Sequence, residues 1–358
     1  MTLHAARRRR LLAQVACGGV LVTNSVDIQY LTGLASSNAA LLILPDRSVL
    51  VTDARYETAA EPLKHDLDVV IARDVVPNAV IYIPSGAFIA FDSAHTSVEL
   101  FNQLGEWPIW WEAKPRCTAA LRAVKDDHEI ALLRTACEIT AAAMLHTFEH
   151  ARIGMSERAI AGLFEAKIRD LGADGPSFAT IVASGPNSAR PHHEPGERAL
   201  EVGDFLLIDA GALLDGYHAD MTRTAVVGPP AQWQRELHAT VREAQRLGRE
   251  QMRAGATEVD ATVKAFILEA TGTPMAHGTG HGIGLEIHEA PIMTATSPYT
   301  IPGGAAMTVE PGVYLPGRGG VRIEDSGLVT ATGYDVWTPA PYDLLELGEE
   351  HTWQPRMT

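Results

Sequence analysis

Asp209, Asp220, His281, Glu310 and Glu324 are spread over more than a hundred residues of this 358-residue chain. Each lies in a segment ill suited to an ordinary core: LLIDAGALLDGYHADMTRT, HGTGHGIGLEIHE, MTVEPGVY and VRIED. Four carboxylates and one imidazole brought to one point would repel each other and titrate abnormally unless cations neutralised them. Two divalent ions carry the four positive charges that balance four carboxylates. The pattern therefore suggests a two-metal site, and paired divalent ions can lower the pKa of a bound water or act as Lewis acids. Oxygen-rich ligands with one imidazole suit Mn, Co or Zn.

The local patterns bear on whether these residues can meet. Asp215-Gly216 is flanked by strand-like runs and is the dipeptide of a two-residue hairpin turn. If it closes a hairpin, Leu214 opposes Tyr217 and, counting back, Asp209 opposes Thr222. Asp220 then shares a face with Asp209, roughly 7–8 Å away on the diagonal. That suits two carboxylates holding ions ~4 Å apart. Thr222 lies on the same face and is a candidate to support them. The competing reading is a pair of aspartates on a solvated hairpin face.

His277 and His281 are four apart, as in helical HExxH sites, but Gly278, Gly280, Gly282 and Gly284 argue against a helix. Glycine this dense points to an extended segment whose backbone approaches its neighbours closely. Glu310 precedes Pro311-Gly312, and Glu324 shares a strand face with Arg322. A glutamate among Met, Val and Ile is either a ligand or half of a buried pair, here Arg322–Glu324 or Arg322–Glu310. His192 and His193 fall in a Pro/Gly-rich loop, ASGPNSARPHHEP.

The elements that must position these residues fall into two groups. Up to about residue 115, the runs GVLVT, ALLILP, SVLVTD, DVVIA and FIAFDS alternate with polar or helical stretches, which predicts a small α/β domain. Trp107 to Pro115, with three tryptophans and two prolines, reads as its end, the tryptophans packed at a boundary. From Asp126, with Glu129 as a capping-box partner, a long helix to about His150 precedes a second one opened by Ser156. Strand segments then carry Asp209 and Asp220. The order repeats with helices from about Gln232 to Ala254 and Glu258 to Ala270, followed by strands around Met307 and Val321. The expectation is an α+β domain built from a duplicated unit, with the site fed by both halves.

Composition narrows the function classes. A formal net charge of −15 disfavours nucleic acid and anionic membranes as partners. Cys17, Cys117 and Cys137 form no CxxC pair, so a reducing cytoplasm is the expected compartment. Arg7 to Arg10 followed by Leu11-Leu12-Ala13 resembles the start of a secretory signal, but Gln14 interrupts the apolar run and Cys17-Gly18-Gly19 is a poor cleavage site.

Taken together, these segments resemble the pita-bread metallopeptidases: Xaa-Pro aminopeptidase, prolidase, methionine aminopeptidase and creatinase. The resemblance rests on the ordered ligand motifs and on the lead-in LRAVKDDHEIALLRTA. The stretch Asn24 to Tyr56 resembles the extra N-terminal domain of the prolidase, aminopeptidase P and creatinase branch, which methionine aminopeptidases lack. The implied architecture is a creatinase-type α/β domain over residues 1–117 and a pseudo-symmetric pita-bread catalytic domain over 118–358. The resemblance makes Asp209 a bidentate ligand of one ion. Asp220 and Glu324 become bridges, and His281 and Glu310 complete the other ion's ligands, manganese being the family's habit. It makes His192, His277 and His288 substrate-binding histidines that stabilise the tetrahedral intermediate, Arg322 a supporting arginine, and Glu310 the group that takes the water proton. Creatinases replace several ligands, whereas all five stand here.

The function so implied is cleavage of the Xaa-Pro bond at the N-terminus of proline-containing peptides by a homodimer, with the aminopeptidase preferred narrowly over the dipeptidase, prolidase. A non-peptide hydrolase or lyase on the same scaffold, and a non-catalytic peptide-binding relative, are the other readings.

Overall fold

The computed structural model describes residues 2–294 and 300–348. It divides into two compact units, Met1–Arg122 and Ala123–Thr358.

The first unit is built on one mixed six-stranded sheet. Its spatial order is Asp68–Ile71, Ser48–Thr52, Ala39–Ile43, Gly19–Val22, Phe88–Phe91 and Trp110–Ala113. Leu21, Leu42, Val49, Val51 and Ile89 bury themselves between sheet and helices. The last strand departs from the expected ending. Trp110–Ala113 pairs in parallel with Phe88–Phe91 as an edge strand, with Trp107 and Trp111 against the core and Trp110 70% exposed. Period-2 alternation at a half-covered edge puts one tryptophan out and its neighbour in. The signal-like arginines also serve the fold: Leu3–Val15 is a helix in which Arg7 and Arg8 donate to the carbonyls of Tyr30 and Leu31. No helix among the described residues is long and apolar enough to cross a membrane.

The second unit shows the helix–helix–sheet order twice. Asp126 and Glu129 form the capping box that starts Asp127–His150, and Ser156 caps Glu157–Asp170. The sheet that follows runs Leu345–Leu347, Met221–Val227, Phe205–Ala210, Ile181–Ser184. The helices Gln232–Gln251 and Val259–Thr271 then precede a five-stranded sheet, Glu289–Met293, Gly280–Gly282, Ala306–Val309, Asp325–Val329 and Tyr334–Val336. A hairpin of Gly312–Leu315 with Gly319–Arg322 lies beside them in sequence. Leu206, Ile208, Met144 and Phe164 pack the first half's core, and Val241, Val263, Val313 and Val321 belong to the core beneath the second half's helices. This is the duplicated α+β unit expected from the order of elements.

Candidate metal centre

The hairpin count holds in the structure. Asp215 and Gly216 take positive φ (50° and 81°), as a turn of this kind requires, and Leu214 pairs with Tyr217 and Asp209 with Thr222. The register continues without slip from turn to site because Gly211 lets the two strands close up. A Cβ there would lie 1.8 Å from the Ala219 carbonyl oxygen. Asp209 and Asp220 are thereby buried on one face, at 8% and 5% exposure.

The second half brings the rest. The glycine-rich segment is extended, as expected, and each glycine admits a neighbouring backbone or side chain; at Gly280 a Cβ would meet the Thr308 carbonyl at 2.1 Å. That close approach seats His281, whose backbone N–H donates to Thr308 Oγ1. Nδ1 of His281 faces the Gly282 carbonyl at 3.1 Å, and a carbonyl only accepts, so Nδ1 carries the proton and Nε2 presents a lone pair. Nε2 lies 3.5 Å from Asp220 Oδ2 and 3.6 Å from Glu310 Oε1. Ligand atoms of Asp220, His281 and Glu324 lie within 4.8 Å of one another.

Arg322 organises the floor. Its Nη2 donates to Asp209 Oδ2 (2.5 Å), Nη1 to the Tyr314 hydroxyl (2.7 Å) and Nε to Thr222 Oγ1 (3.0 Å). Thr222 in turn donates to Glu324 Oε2 at 2.7 Å. The ion pair is therefore with Asp209, not with the two glutamates weighed from sequence. Tyr314, at the end of the MTVEPGVY segment, links Arg322 to His277, whose Nε2 it meets at 2.9 Å. Nδ1 of His277 faces the Gly278 carbonyl at 2.8 Å, which fixes its proton there. Both ring nitrogens of His277 thus have internal partners.

One oxygen of each of three carboxylates remains buried without any hydrogen-bond partner: Asp209 Oδ1, Asp220 Oδ1 and Glu324 Oε1. Buried, partnerless carboxylate oxygens are costly unless a cation meets them. Burial is the main cause that pushes the Asp220 and Glu324 carboxyls well above the usual range, with repulsion from the neighbouring carboxylates adding to it. Burial also raises Glu310. The donor set therefore fits divalent cations in kind and in charge.

Above this floor opens a cavity of ≈510 Å³, walled by Phe178, Ile181, Pro191, Pro195, Ile287 and Ile292 as well as by the carboxylates. It is the size and apolarity of a small-ligand pocket. His192 and His288 line it and are exposed. The His288 ring stands 4.3 Å from that of His281, edge to face, and its half that faces the cavity is desolvated, which with the nearby His281 and His192 lowers its pKa. Of the site residues singled out from sequence, all but Thr222 line this one cavity, and Thr222 lies buried beneath it, bonded to Glu324 and Arg322. His193, beside His192, does not act there as a free side chain: it is buried against Glu157 at 2.7 Å. Glu157 carried no motif, and only long-range pairing reveals it.

Comparison with known proteins agrees with this geometry. Residues 131–331 match the model of metallopeptidase family M24, and residues 5–108 match the creatinase/prolidase N-terminal domain. The chain is 39% identical over 347 residues to an Xaa-Pro dipeptidase of Pyrococcus horikoshii, covering 91% of this chain and 94% of that one. It superposes on an Xaa-Pro dipeptidase from Bacillus anthracis with a TM-score of 0.90 at 35% identity, over 96% and 99% of the two chains. The X-Pro aminopeptidase from Thermotoga maritima gives 0.88 at 32%, over 95% and 99%. This chain belongs to metallopeptidase family M24, with the pita-bread catalytic domain preceded by a creatinase/prolidase-type N-terminal domain, and its family implies divalent metal ions.

Proposed function

We propose that the chain hydrolyses the peptide bond before proline and acts first as an Xaa-Pro dipeptidase. The observation that carries this reading is the convergence of three partnerless carboxylate oxygens and the His281 lone pair on one peptide-sized cavity. The names of the relatives move the preference from aminopeptidase to dipeptidase. Asp209, Asp220, His281, Glu310 and Glu324 would hold two divalent ions, manganese first and cobalt or zinc as alternatives. When bound, such ions supply an activated water and Lewis-acid polarisation of the scissile carbonyl. A cytoplasmic homodimer is part of the proposal, supported by the three unpaired cysteines and by the family resemblance.

The remaining chemistry falls to side chains. Glu310, whose carboxyl burial raises, is the side chain to receive a proton from the attacking water and return it to the leaving proline nitrogen. His288, neutral at working pH, can donate a ring N–H to the developing oxyanion without bringing a charge into the apolar wall. His192 shares the cavity mouth and is the second candidate donor. His277 is neutral for the same reason of burial, and both its nitrogens are engaged. Its part is to hold Tyr314, and through it Arg322 and Asp209, in place.

One observation favours the aminopeptidase as a second reading. Arg322 is the one Lys or Arg among the described residues lining the cavity, and its guanidinium is already engaged by Asp209, Tyr314 and Thr222. Among the described residues, a dipeptide's free carboxylate would find no unengaged Lys or Arg on that wall, whereas an extended peptide brings a neutral amide there. Initial rates on Ala-Pro, Ala-Pro-Ala and Ala-Pro-amide separate the two. A dipeptidase cleaves Ala-Pro at least about tenfold better than the other two, a difference of ~1.4 kcal/mol. The opposite order establishes the second reading, and no cleavage of any of them sinks both.

A further inference from the structure

Glu157 is 1% exposed, and its carboxylate accepts five hydrogen bonds. Oε1 receives the Ser184 backbone N–H and hydroxyl, both at 2.8 Å, and the Asn187 amide at 2.9 Å. Oε2 receives His193 Nε2 at 2.7 Å and the Gly196 N–H at 3.1 Å. A glutamate in the first turn of a helix ordinarily faces that helix's own N–H groups. Here all five donors come instead from the chain on either side of residues 188–192, three from its entry (Ser184 twice and Asn187) and two from its exit (His193 and Gly196). The bonds hold the carboxyl below its usual range in spite of burial, so it is an ionised acceptor and His193 Nε2 is the donor.

His192 lies inside this bracket. The residue before it is tied to the floor, since the Pro191 carbonyl accepts from Arg322 Nη1 at 3.3 Å. Ser188 is tied in the same way, its hydroxyl accepting from the Gly320 N–H at 2.8 Å. The residue after it is His193, tied to Glu157. His192 itself projects to the cavity mouth with an exposed ring. We propose that the Glu157–His193 pair is a positioning device that holds His192 at the cavity, so that His193 serves hydrolysis only through its neighbour. The inference rests on reading this cavity as a peptidase site.

The test is a double-mutant cycle in the metal-loaded full-length protein: wild type, His192→Ala, His193→Ala and the double variant, with His193→Gln as the conservative replacement. Glutamine can still donate one N–H towards Glu157. Loss of position in a reacting group falls on kcat, on the order of ten- to a hundredfold, with KM little changed. His193→Ala is expected to show that loss, His193→Gln to recover most of it, and the double variant to be no slower than His192→Ala alone. An equal loss from His193→Ala with and without His192 would overturn the proposal, as a merely structural histidine acts in both backgrounds. A second arm does not depend on turnover: amide hydrogen exchange at Ser184 and Gly196 should quicken by about tenfold in His193→Ala as the clamp opens. Unchanged exchange there overturns the clamp. Absence of Xaa-Pro hydrolysis in the wild type would instead overturn the functional reading, leaving the exchange arm to decide the clamp.

Discussion

Glu324→Ala is expected to lower kcat/KM on Xaa-Pro substrates on the order of 10³-fold and to reduce the divalent ions retained per chain. Glu324 is 1% exposed and offers Oε1 with no protein partner, while Thr222 holds Oε2 in a fixed direction. Removing it takes away a carboxylate that the ligand cluster shares with Asp220 and His281. Losses of 10²–10³-fold follow removal of a single oriented electrostatic group from an active site, and a shared ligand exceeds that. The stability effect should change sign with metal. In chelated protein, Asp220, Glu310 and Glu324 disfavour each other's charge, so deleting one raises the melting temperature. In loaded protein the same deletion lowers it, because binding energy to the native state is lost. Metal content by elemental analysis and melting curves with and without chelator check both halves. A variant retaining wild-type metal content and turnover would remove Glu324 from the centre.

Gly211→Ala is the largest expected stability effect. The added Cβ would fall 1.8 Å from the Ala219 carbonyl oxygen of the facing hairpin strand and 2.6 Å from Oγ of the buried Ser177 beside it. Backbone cannot yield as a flexible side chain does, so the strands must part where Asp209 and Asp220 are set. Overpacking of this kind costs about 3 kcal/mol or more, a melting shift of roughly 6–12 °C in a domain of this size. Gly162→Ala is the matched control. It lies in the helix Glu157–Asp170, has nothing within 4 Å of its Cβ position, and should gain ~0.5–1 kcal/mol from helix propensity. Scanning calorimetry on the two variants reads the difference. Equal melting temperatures would contradict the close-approach account of the hairpin.

The parts of the fold legible in the sequence were those governed by local rules. Asp215-Gly216 specified its turn, the turn specified the register, and the register placed Asp209 opposite Thr222. Asp126 with Glu129, and Ser156, announced their helices through capping chemistry. Glycine density around His281 gave the extended segment because only close backbone contact explains it. Other features escaped because they are set by distant partners. Arg322 has several acidic neighbours in sequence, but selects Asp209, 113 residues away. His277 carries the same residue type and motif context as its neighbours, yet Tyr314 and Gly278 occupy both its nitrogens. Trp110–Ala113 looked like a terminus because edge strands tolerate a composition that reads as irregular. Glu157 had no motif, and its significance depends wholly on where the loop donors fold back.

The most direct measurement is metal stoichiometry joined to turnover: chelate the protein, confirm loss of divalent ions by elemental analysis, then titrate Mn, Co or Zn back while following Ala-Pro hydrolysis. Hydrolysis that vanishes on chelation and returns in step with two ions per chain is the result predicted by the cluster of Asp209, Asp220, His281, Glu310 and Glu324. Undiminished hydrolysis by protein shown to be free of divalent ions, or failure to bind any ion on titration, would contradict it.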